Sequence, residues 1–475
     1  MSSPMIFTQK AFSGAPVREN ELRYLVDAIR HDRCCAVVAP SNMGKSKLLH
    51  SLKTDEVQRL IRQEAEKPVM TVFVDCVALK SESEFYQILM GSIFLELEKS
   101  EEVETAVIKN FESSVENILQ SPNDTVSRFY FTMGLRRLLE RSDIKLILIL
   151  DEFETILAEM PAHALGAFIA LKDEFPQNIT CILGVTQRLE SIRADNDVFE
   201  FRESFRMNTL VLRPLEKEDA IRFIQYKADR IGVTIDEEEL NRIFVLSGGH
   251  PGMMERILQL VANDDLDIRS QQAKTMLCND IRLIEECERL WDELSKDEQQ
   301  ILLDLVSGQP LTDLQALNHL LAAGILRFQN DEKQDSKSYC IFSPIFIEFI
   351  WQKLQWLGDL RLDNPGAPNA RIIKGNIDIT NELSKTERKL LRFLLSSPGT
   401  VRTVDEIGRA VWEWDYTPDK VRQLIKSVRG KIEPNPSKPI FIITKRRRGY
   451  LVQPTPGLVN LRGSVDLECH DHDAQ

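Results

Sequence analysis

The chain has 475 residues, 43% of them hydrophobic and 28% charged, with a net charge of −13. That is soluble globular composition for about three domains, and the sign argues against indiscriminate nucleic-acid binding. No run approaches the roughly 18 apolar residues of a membrane span, the polar opening Met1-Ser2-Ser3-Pro4 is not that of a signal peptide, and the 8 Cys, scattered without a C-x-x-C pair, point to reduced, mostly buried thiols and a cytoplasmic location.

In chain order, a first helical stretch carries Leu22, Leu25, Ala28 and Ile29 on one face. The apolar run Cys35-Ala36-Val37-Val38 reads as a buried strand, and residues 47–52 have helical spacing. Between them lies Ala39-Pro40-Ser41-Asn42-Met43-Gly44-Lys45-Ser46, the phosphate-loop pattern G-x-x-x-x-G-K-[S/T] with Ala39 in place of the first Gly. Strand, loop and helix let backbone N–H groups and a helix N-terminus converge on a polyphosphate, with Lys45 on the outer phosphates and the Ser46 hydroxyl on magnesium. Ala39 narrows the backbone choices that Gly would leave open, while Gly44, Lys45 and Ser46 are kept.

Residues 69–75 form a second core strand, and 82–120 and 128–141 read as helices. The apolar run 146–150 is a strand buried on both faces, whose carboxyl end delivers Asp151 and Glu152 to the ligand edge of a parallel sheet. Asp151 is expected in the magnesium shell and Glu152 as the group that orients and deprotonates water. A helix over 161–175 and a strand over 180–186 follow, so strands and helices alternate as in a parallel sheet covered on both faces. At that strand's tip Thr186 is either a γ-phosphate sensor or a plain cap. Arg202 and Arg206 are either fingers on a nucleotide or solvated arginines.

Beyond Leu212-Arg213-Pro214-Leu215, helices over 217–231, 236–247 and 252–264 make an all-helical lid. The break Ser247-Gly248-Gly249-His250-Pro251-Gly252 either lays His250 against a nucleotide or caps a helix. Residues from about 10 to 275 resemble AAA+-type P-loop ATPases of the STAND branch. The resemblance rests on Pro16-Val17-Arg18 with Glu21-Leu22, on Met43-Gly44-Lys45-Ser46, on Asp151-Glu152-Phe153-Glu154, on Leu212-Arg213-Pro214-Leu215 and on Gly249-His250-Pro251. It implies ATP or ADP and Mg2+ as ligands, with Arg18, Asn42, Met43, Gly44, Lys45, Ser46, Leu48, Thr186, His250 and Pro251 around the nucleotide. It also implies that the His250-Pro251 turn reports the nucleotide's state.

Helices over 288–305 and 311–321, strands over 324–328 and 339–342, and a helix over 344–357 suggest a winged helix. Its middle helix has almost no Lys or Arg, so a packing and relay role is expected there rather than DNA binding. The Pro/Gly/Asn-rich residues 363–370 read as a linker. Residues 381–455 then hold 16 Lys and Arg against 8 Asp and Glu, a net of +8 that leaves −21 for the rest of the chain. Such asymmetry marks a nucleic-acid reader on an acidic body.

Within that basic stretch, Ser384-Lys385-Thr386-Glu387 is a capping box opening a helix with Leu390, Leu391 and Leu394 inward. A second helix covers 403–412. A third starts at Pro418, with Val421, Ile425 and Val428 as its core stripe and Lys420, Arg422, Gln423, Lys426, Ser427 and Arg429 on the other face. A hairpin closes around Lys445-Arg446-Arg447-Arg448. The stretch resembles the winged-helix DNA-binding domain of OmpR/PhoB response regulators in Leu383-Ser384, Thr386-Glu387, Val411-Trp412, Val428-Arg429, Lys431-Ile432 and Gly449-Tyr450. The resemblance implies double-stranded DNA as partner, with the six polar residues of the third helix on groove or phosphate. Arg446 becomes the wing contact, and Arg447 and Arg448 add phosphate attraction. Protein docking is the other use of such a fold.

The expectation is therefore a multidomain α/β + α chain. It has a P-loop parallel-sheet ATPase core (1–210), an all-helical lid (211–280), a middle winged helix (281–358), a linker (359–370), a winged-helix DNA-binding domain (371–455) and a disordered tail (456–475). The expected function is that of an ATP-binding, nucleotide-switched transcription regulator and slow ATPase, with self-association or an unknown protein partner as further input and no membrane. An AAA+ ATPase acting on DNA, in replication initiation, transposition or defence, and a non-hydrolysing nucleotide-binding scaffold stay open as alternatives.

Overall fold

The computed structural model describes residues 18–453 except 64, 122, 264, 308, 330–337, 357–359, 364–366, 368, 376, 434–435, 437–438, 440 and 446–447. Arg446, Arg447, Pro16-Val17 and the expected tail 456–475 lie outside the described residues. The chain divides into two units, Met1–Gln299 with Leu314–Ile345, and Gln300–Asp313 with Phe346–Gln475.

In the first unit α1 (Glu19–Arg30) leads to β1 (Cys35–Val38), α2 (Lys45–Ser51) and α3 (Asp55–Gln63). Next come β2 (Val69–Asp75), α4 (Glu82–Leu97), α5 (Thr105–Leu119), α6 (Asp124–Arg141) and β3 (Lys145–Asp151). They are followed by α7 (Glu154–Glu159), α8 (Ala162–Glu174), β4 (Ile179–Val185), α9 (Leu189–Ile192), α10 (Phe199–Arg206) and β5 (Thr209–Val211). The five strands form a wholly parallel sheet in the order β2-β3-β4-β1-β5.

Strand pleating sorts the side chains into two cores. Leu146, Leu148 and Leu150 of β3 join Phe85, Phe131 and Phe168 from α4, α6 and α8 on one face. Ile147 and Ile149 join Leu25, Leu49 and Ile61 from α1, α2 and α3 on the other. A strand so placed is covered on both sides, which is why its sequence is an unbroken apolar run. Because β4 lies between β1 and β3, the carboxyl ends after Val38, Asp151 and Val185 are brought side by side.

The lid comprises α11 (Lys217–Ile231), α12 (Glu237–Ser247) and α13 (Pro251–Ala262). Asp236 and Glu239 form a capping box on α12, and His250 caps α13. After α14 (Ala273–Cys278) and α15 (Ile281–Asp292), the helix expected over 288–305 turns out to be two. A new capping box, with Ser295 N–H on the Glu298 carboxylate and Glu298 N–H on Ser295 Oγ, starts α16 (Lys296–Val306) and leaves Glu293 in the break. Then come α17 (Leu314–Ala322), the antiparallel pair β6 (Leu326–Gln329) and β7 (Ser338–Ile341), and α18 (Pro344–Trp356).

In the second unit β8 (Leu360–Asp363), β9 (Arg371–Lys374) and β10 (Ile377–Asp378) form an antiparallel sheet in the order β10-β9-β8. Three helices, α19 (Lys385–Leu395), α20 (Val404–Trp412) and α21 (Pro418–Ile432), and the hairpin β11 (Ile442–Lys445) with β12 (Gly449–Val452) complete a winged helix. Within the stretch expected as a linker, Leu360–Asp363 is the strand β8, whose Asp363 pairs with Arg371 and Leu360 with Lys374. Leu360 and Ile372 are buried in the same core as Leu390, Val421 and Val428, and that burial draws the strands onto the helices. Cys34, Cys35, Cys76, Cys181 and Cys287 are buried with free thiols, and Cys278 is buried. Among the described residues no helix is long and apolar enough to cross a membrane.

One residue of the sheet bears directly on the edge formed by β1, β4 and β3. A Cβ on Gly184 would stand 2.3 Å from Asp151 Oδ1 and 2.6 Å from Leu49 Cδ1. Gly184→Ala is therefore expected to destabilise the protein by about 1–3 kcal/mol, read by thermal or urea unfolding. Wild-type stability in this variant would show that Asp151 has room the structure does not give it.

Candidate functional site

The loop between β1 and α2 bends at two left-handed residues, Asn42 (φ 60°) and Gly44 (φ 91°). Ala39 is not among them. It is fully buried, and its N–H donates to Val185 O at 3.0 Å, so it continues the sheet and needs none of the freedom of Gly. Gly44 starts α2, which makes Lys45 and Ser46 its first two residues.

The Lys45 ammonium is almost wholly out of water and sits 2.9 Å from Glu152 Oε1, 3.7 Å from Glu154 Oε1 and 3.8 Å from Asp151 Oδ1. Asp151 is buried at the end of β3, and its Oδ1 accepts from the N–H of Glu152. Glu152 itself is left-handed (φ 54°), which swings its side chain from the strand direction toward Lys45. The two motifs singled out in the sequence, the loop and the end of β3, thus meet at one edge of the sheet.

Arg18, also left-handed (φ 71°), is buried and binds this edge from the other side. Its guanidinium donates to Met43 O at 2.7 Å and to Arg213 O at 2.8 Å, with Glu21 beside it at 3.1 Å. Met43 and Leu48 are core residues packed with Leu25 and Leu49. Thr186 gives its backbone N–H to Glu154. Pro251 is buried in the first turn of α13. His250 is fully buried, and its Nδ1 accepts from Met253 N–H at 3.3 Å. Burial, then the charges of Arg18 and Arg289, push its imidazole down to about 4, so it is neutral at pH 7. The preceding turn is tight: Gly249 O accepts from Leu215 N–H, and a Cβ on Gly248 would lie 2.1 Å from Phe342 O. Arg202 is buried with its guanidinium on Arg193 O, and Arg206 pairs with Glu203.

Two partners of the loop, Glu293 and Glu286, went unseen in the sequence, and Gln187 bonds the first of them. Ser41 N–H donates to Glu293 Oε2 at 2.8 Å and the Ser41 hydroxyl donates to Oε1. Asn42 Nδ2 donates to both Glu286 oxygens at 2.8 and 2.9 Å. Gln187 Nε2 donates to Glu293 O at 2.7 Å. Burial raises the Glu293 carboxyl above its ordinary range, against the pull of the Ser41 hydrogen bonds and of Lys45. The available signal was the capping box Ser295-Lys296-Asp297-Glu298, which marks a new helix start just after Glu293.

In the second unit, Val421, Leu424, Ile425, Val428 and Ile432 of α21 face the core, while Lys420, Arg422, Gln423, Lys426 and Ser427 are exposed. Lys420 is paired with Asp415 and Arg422 with Asp419. Ser427 and Arg429 are tied inward. The Ser427 hydroxyl donates to Glu387 at 2.7 Å, and the Arg429 guanidinium donates to Ile442 O and Thr444 Oγ1 at the base of the wing. Arg448 is exposed in the wing turn, where its N–H donates to Lys445 O. Gly449 (φ 129°) lets the wing close against Arg402, whose carbonyl would be 2.0 Å from a Cβ there.

A family model described as Novel STAND NTPase 1 matches residues 8–309, and one described as Transcriptional regulatory protein, C terminal, matches residues 379–452. Among solved structures, a Walker-type ATPase of Pyrococcus abyssi aligns at 16% identity and a TM-score of 0.46, over 70% of this chain and 95% of that one. The ORC2 protein of Aeropyrum pernix aligns at 14% and 0.43, over 72% and 95%. The ORC1 protein of Aeropyrum pernix in complex with DNA aligns at 12% and 0.37, over 73% and 95%.

Glu387 generates a pH prediction. Burial alone would raise its carboxyl, but Lys431, the Ser384 N–H and hydroxyl and the Ser427 hydroxyl outweigh it and hold the group at about 2. The stabilisation is complete above the ordinary value of 4.5 and is lost as pH falls toward 2. Glu387→Gln is expected to destabilise the second unit at pH 7 by about 1–3 kcal/mol and to flatten its acid limb, read by circular dichroism. An unchanged acid limb would mean that the carboxylate is not held as described.

Proposed function

The chain belongs to the Novel STAND NTPase 1 family and ends in a transcription-regulator-type DNA-binding domain, and from this we propose that it is an ATP-switched transcription regulator. The observation that carries the reading is the convergence of Lys45, Asp151 and Glu152 from β1–α2 and β3. In this reading the loop N–H groups and Gly44 cradle the inner phosphates, and Lys45 exchanges its carboxylate neighbours for the outer ones. Glu152, released from Lys45, orients and deprotonates the attacking water. The donor set suits Mg2+, with hydroxyl and carboxylate oxygens and three carboxylates around one ammonium. Ser46 and Asp151 would hold it, and when bound it neutralises charge on the outer phosphates.

The lid turn supports a switch. His250 caps α13, Gly249 is bonded to Leu215, and Arg18 bonds both the loop and Arg213 two residues earlier. Asn42, Met43, Leu48, Thr186, His250 and Pro251 are proposed as the surround of the nucleotide, Leu48 and Met43 from beneath as packing. On DNA, the exposed Lys420, Arg422, Gln423 and Lys426 are proposed for the groove and its phosphates. Ser427 and Arg429 would act there only after leaving Glu387 and the wing base. Arg446, Arg447 and Arg448 are proposed as wing contacts.

Lys45→Ala is expected to abolish ATP binding in calorimetry while circular dichroism stays unchanged. Glu152→Gln should keep binding and slow turnover. A wild-type protein that binds ATP but shows no magnesium-dependent hydrolysis would be a nucleotide-binding scaffold.

Full-length protein is expected to bind duplex DNA with an affinity that falls steeply with salt and changes on adding ATP. Gln423→Ala or Lys426→Ala should shift preference among sites by about 1–3 kcal/mol. Removing the three wing arginines together should weaken all sites alike. DNA affinity indifferent to ATP would leave two activities sharing a chain.

A further inference from the structure

Glu293 stands apart from the other acids near the loop. It lies on neither β3 nor α2 but in the break between α15 and α16, far along the chain from Ser41. Its two carboxylate oxygens take the Ser41 N–H and hydroxyl, its backbone carbonyl takes Gln187, and Lys45 and Glu154 lie within electrostatic reach. About two turns earlier, Glu286 takes Asn42 and is shared with Arg289. A Cβ on Gly252 would stand 3.0 Å from both Asn42 and Glu286, so α13 closes over the same pair.

The groups engaged are those a phosphate loop offers to an anion: a loop N–H, a loop hydroxyl and the field of Lys45. A carboxylate drawn from water into such a place needs charge-assisted donors to persist, and Ser41 supplies two. The contact is made through Ser41, and Glu293 lies within electrostatic reach of Lys45, the residue read as serving the outer phosphates.

We propose that Glu293 is an internal anion that occupies the outer-phosphate side of the loop, latched by Glu286 on Asn42, so that a triphosphate binds fully only when the end of α15 lets go. The inference rests on the reading of the loop as an ATP site. It gives the nucleotide a mechanical output, because the ligand and the α15–α16 break compete for the same donors. Free energy of binding is thereby converted into release of a helix end, the differential affinity that a switch requires.

The test uses full-length protein, with ATP and ADP titrated separately into wild type, Glu293→Gln and Glu293→Ala in the presence of magnesium. Loss of the charge-assisted contact is expected to tighten ATP binding by about tenfold or more, and ADP binding by less. In unaltered wild type, hydrogen exchange across residues 286–294 should speed up on adding ATP. The exchange result is read in wild type and so does not depend on the stability of the variants. If wild type binds ATP, but neither variant binds it more tightly and exchange in 286–294 does not rise, the latch is overturned while the ATP site stands. If wild type and both variants bind no nucleotide, the ATP-site reading falls and the latch falls with it.

Discussion

Lys45 holds its ammonium almost wholly out of water, among carboxylates from residues more than a hundred positions away. An isolated charge in that position would cost several kcal/mol, so the carboxylates are a condition of the fold and not an ornament of it. They can be there only because β4 lies between β1 and β3 and sets their ends at neighbouring heights. Gly184, at the end of β4, leaves room for Asp151, and the left-handed turn at Glu152 aims the next carboxylate inward. Arg18 completes the frame by fixing the loop's far wall through two carbonyls. Sheet order, a missing Cβ and an unusual backbone conformation all serve one buried charge.

The second unit poses the opposite problem. There the buried charge is a carboxylate, Glu387, and the cation that answers it, Lys431, comes from the last turn of α21. The same carboxylate completes the capping box of α19 and receives Ser427. A single side chain thus fixes the angle between two helices. With its apolar stripe turned to the core, α21 has nothing inside to offer Gln423 or Lys426, and they project to solvent. A polar face of that kind follows from how the helix is anchored.

What could be read from the chain alone was whatever local chemistry dictates. The P-loop, the apolar run of β3, the lid helices and the Ser384 capping box each carry their signal within a few residues. What escaped was set by distant partners. The break at Glu293 is marked locally by the Ser295 cap, but nothing near it in the chain shows that its carboxylate and carbonyl meet Ser41 and Gln187. Arg202 looked like a solvated or reaching arginine and is buried on a carbonyl. Ala39 looked like a weakening of the loop, yet the left-handed bends fall at Asn42 and Gly44. Residues 363–370 have the composition of a tether, and only the pairing of the strands on either side reveals a hairpin.

That hairpin also decides where the C-terminal domain can be cut from one protein and joined to another. The seam that composition suggests falls between two paired strands, and β8 upstream of it supplies Leu360 to the core. A gene fusion broken at the seam would leave β9 with an open edge of unpaired backbone groups, a template for aggregation. A transplantable cassette has to begin before Leu360, so recombination that preserves the reader must carry the strand along. The viable junction thus lies ahead of the composition boundary that marks it in the sequence.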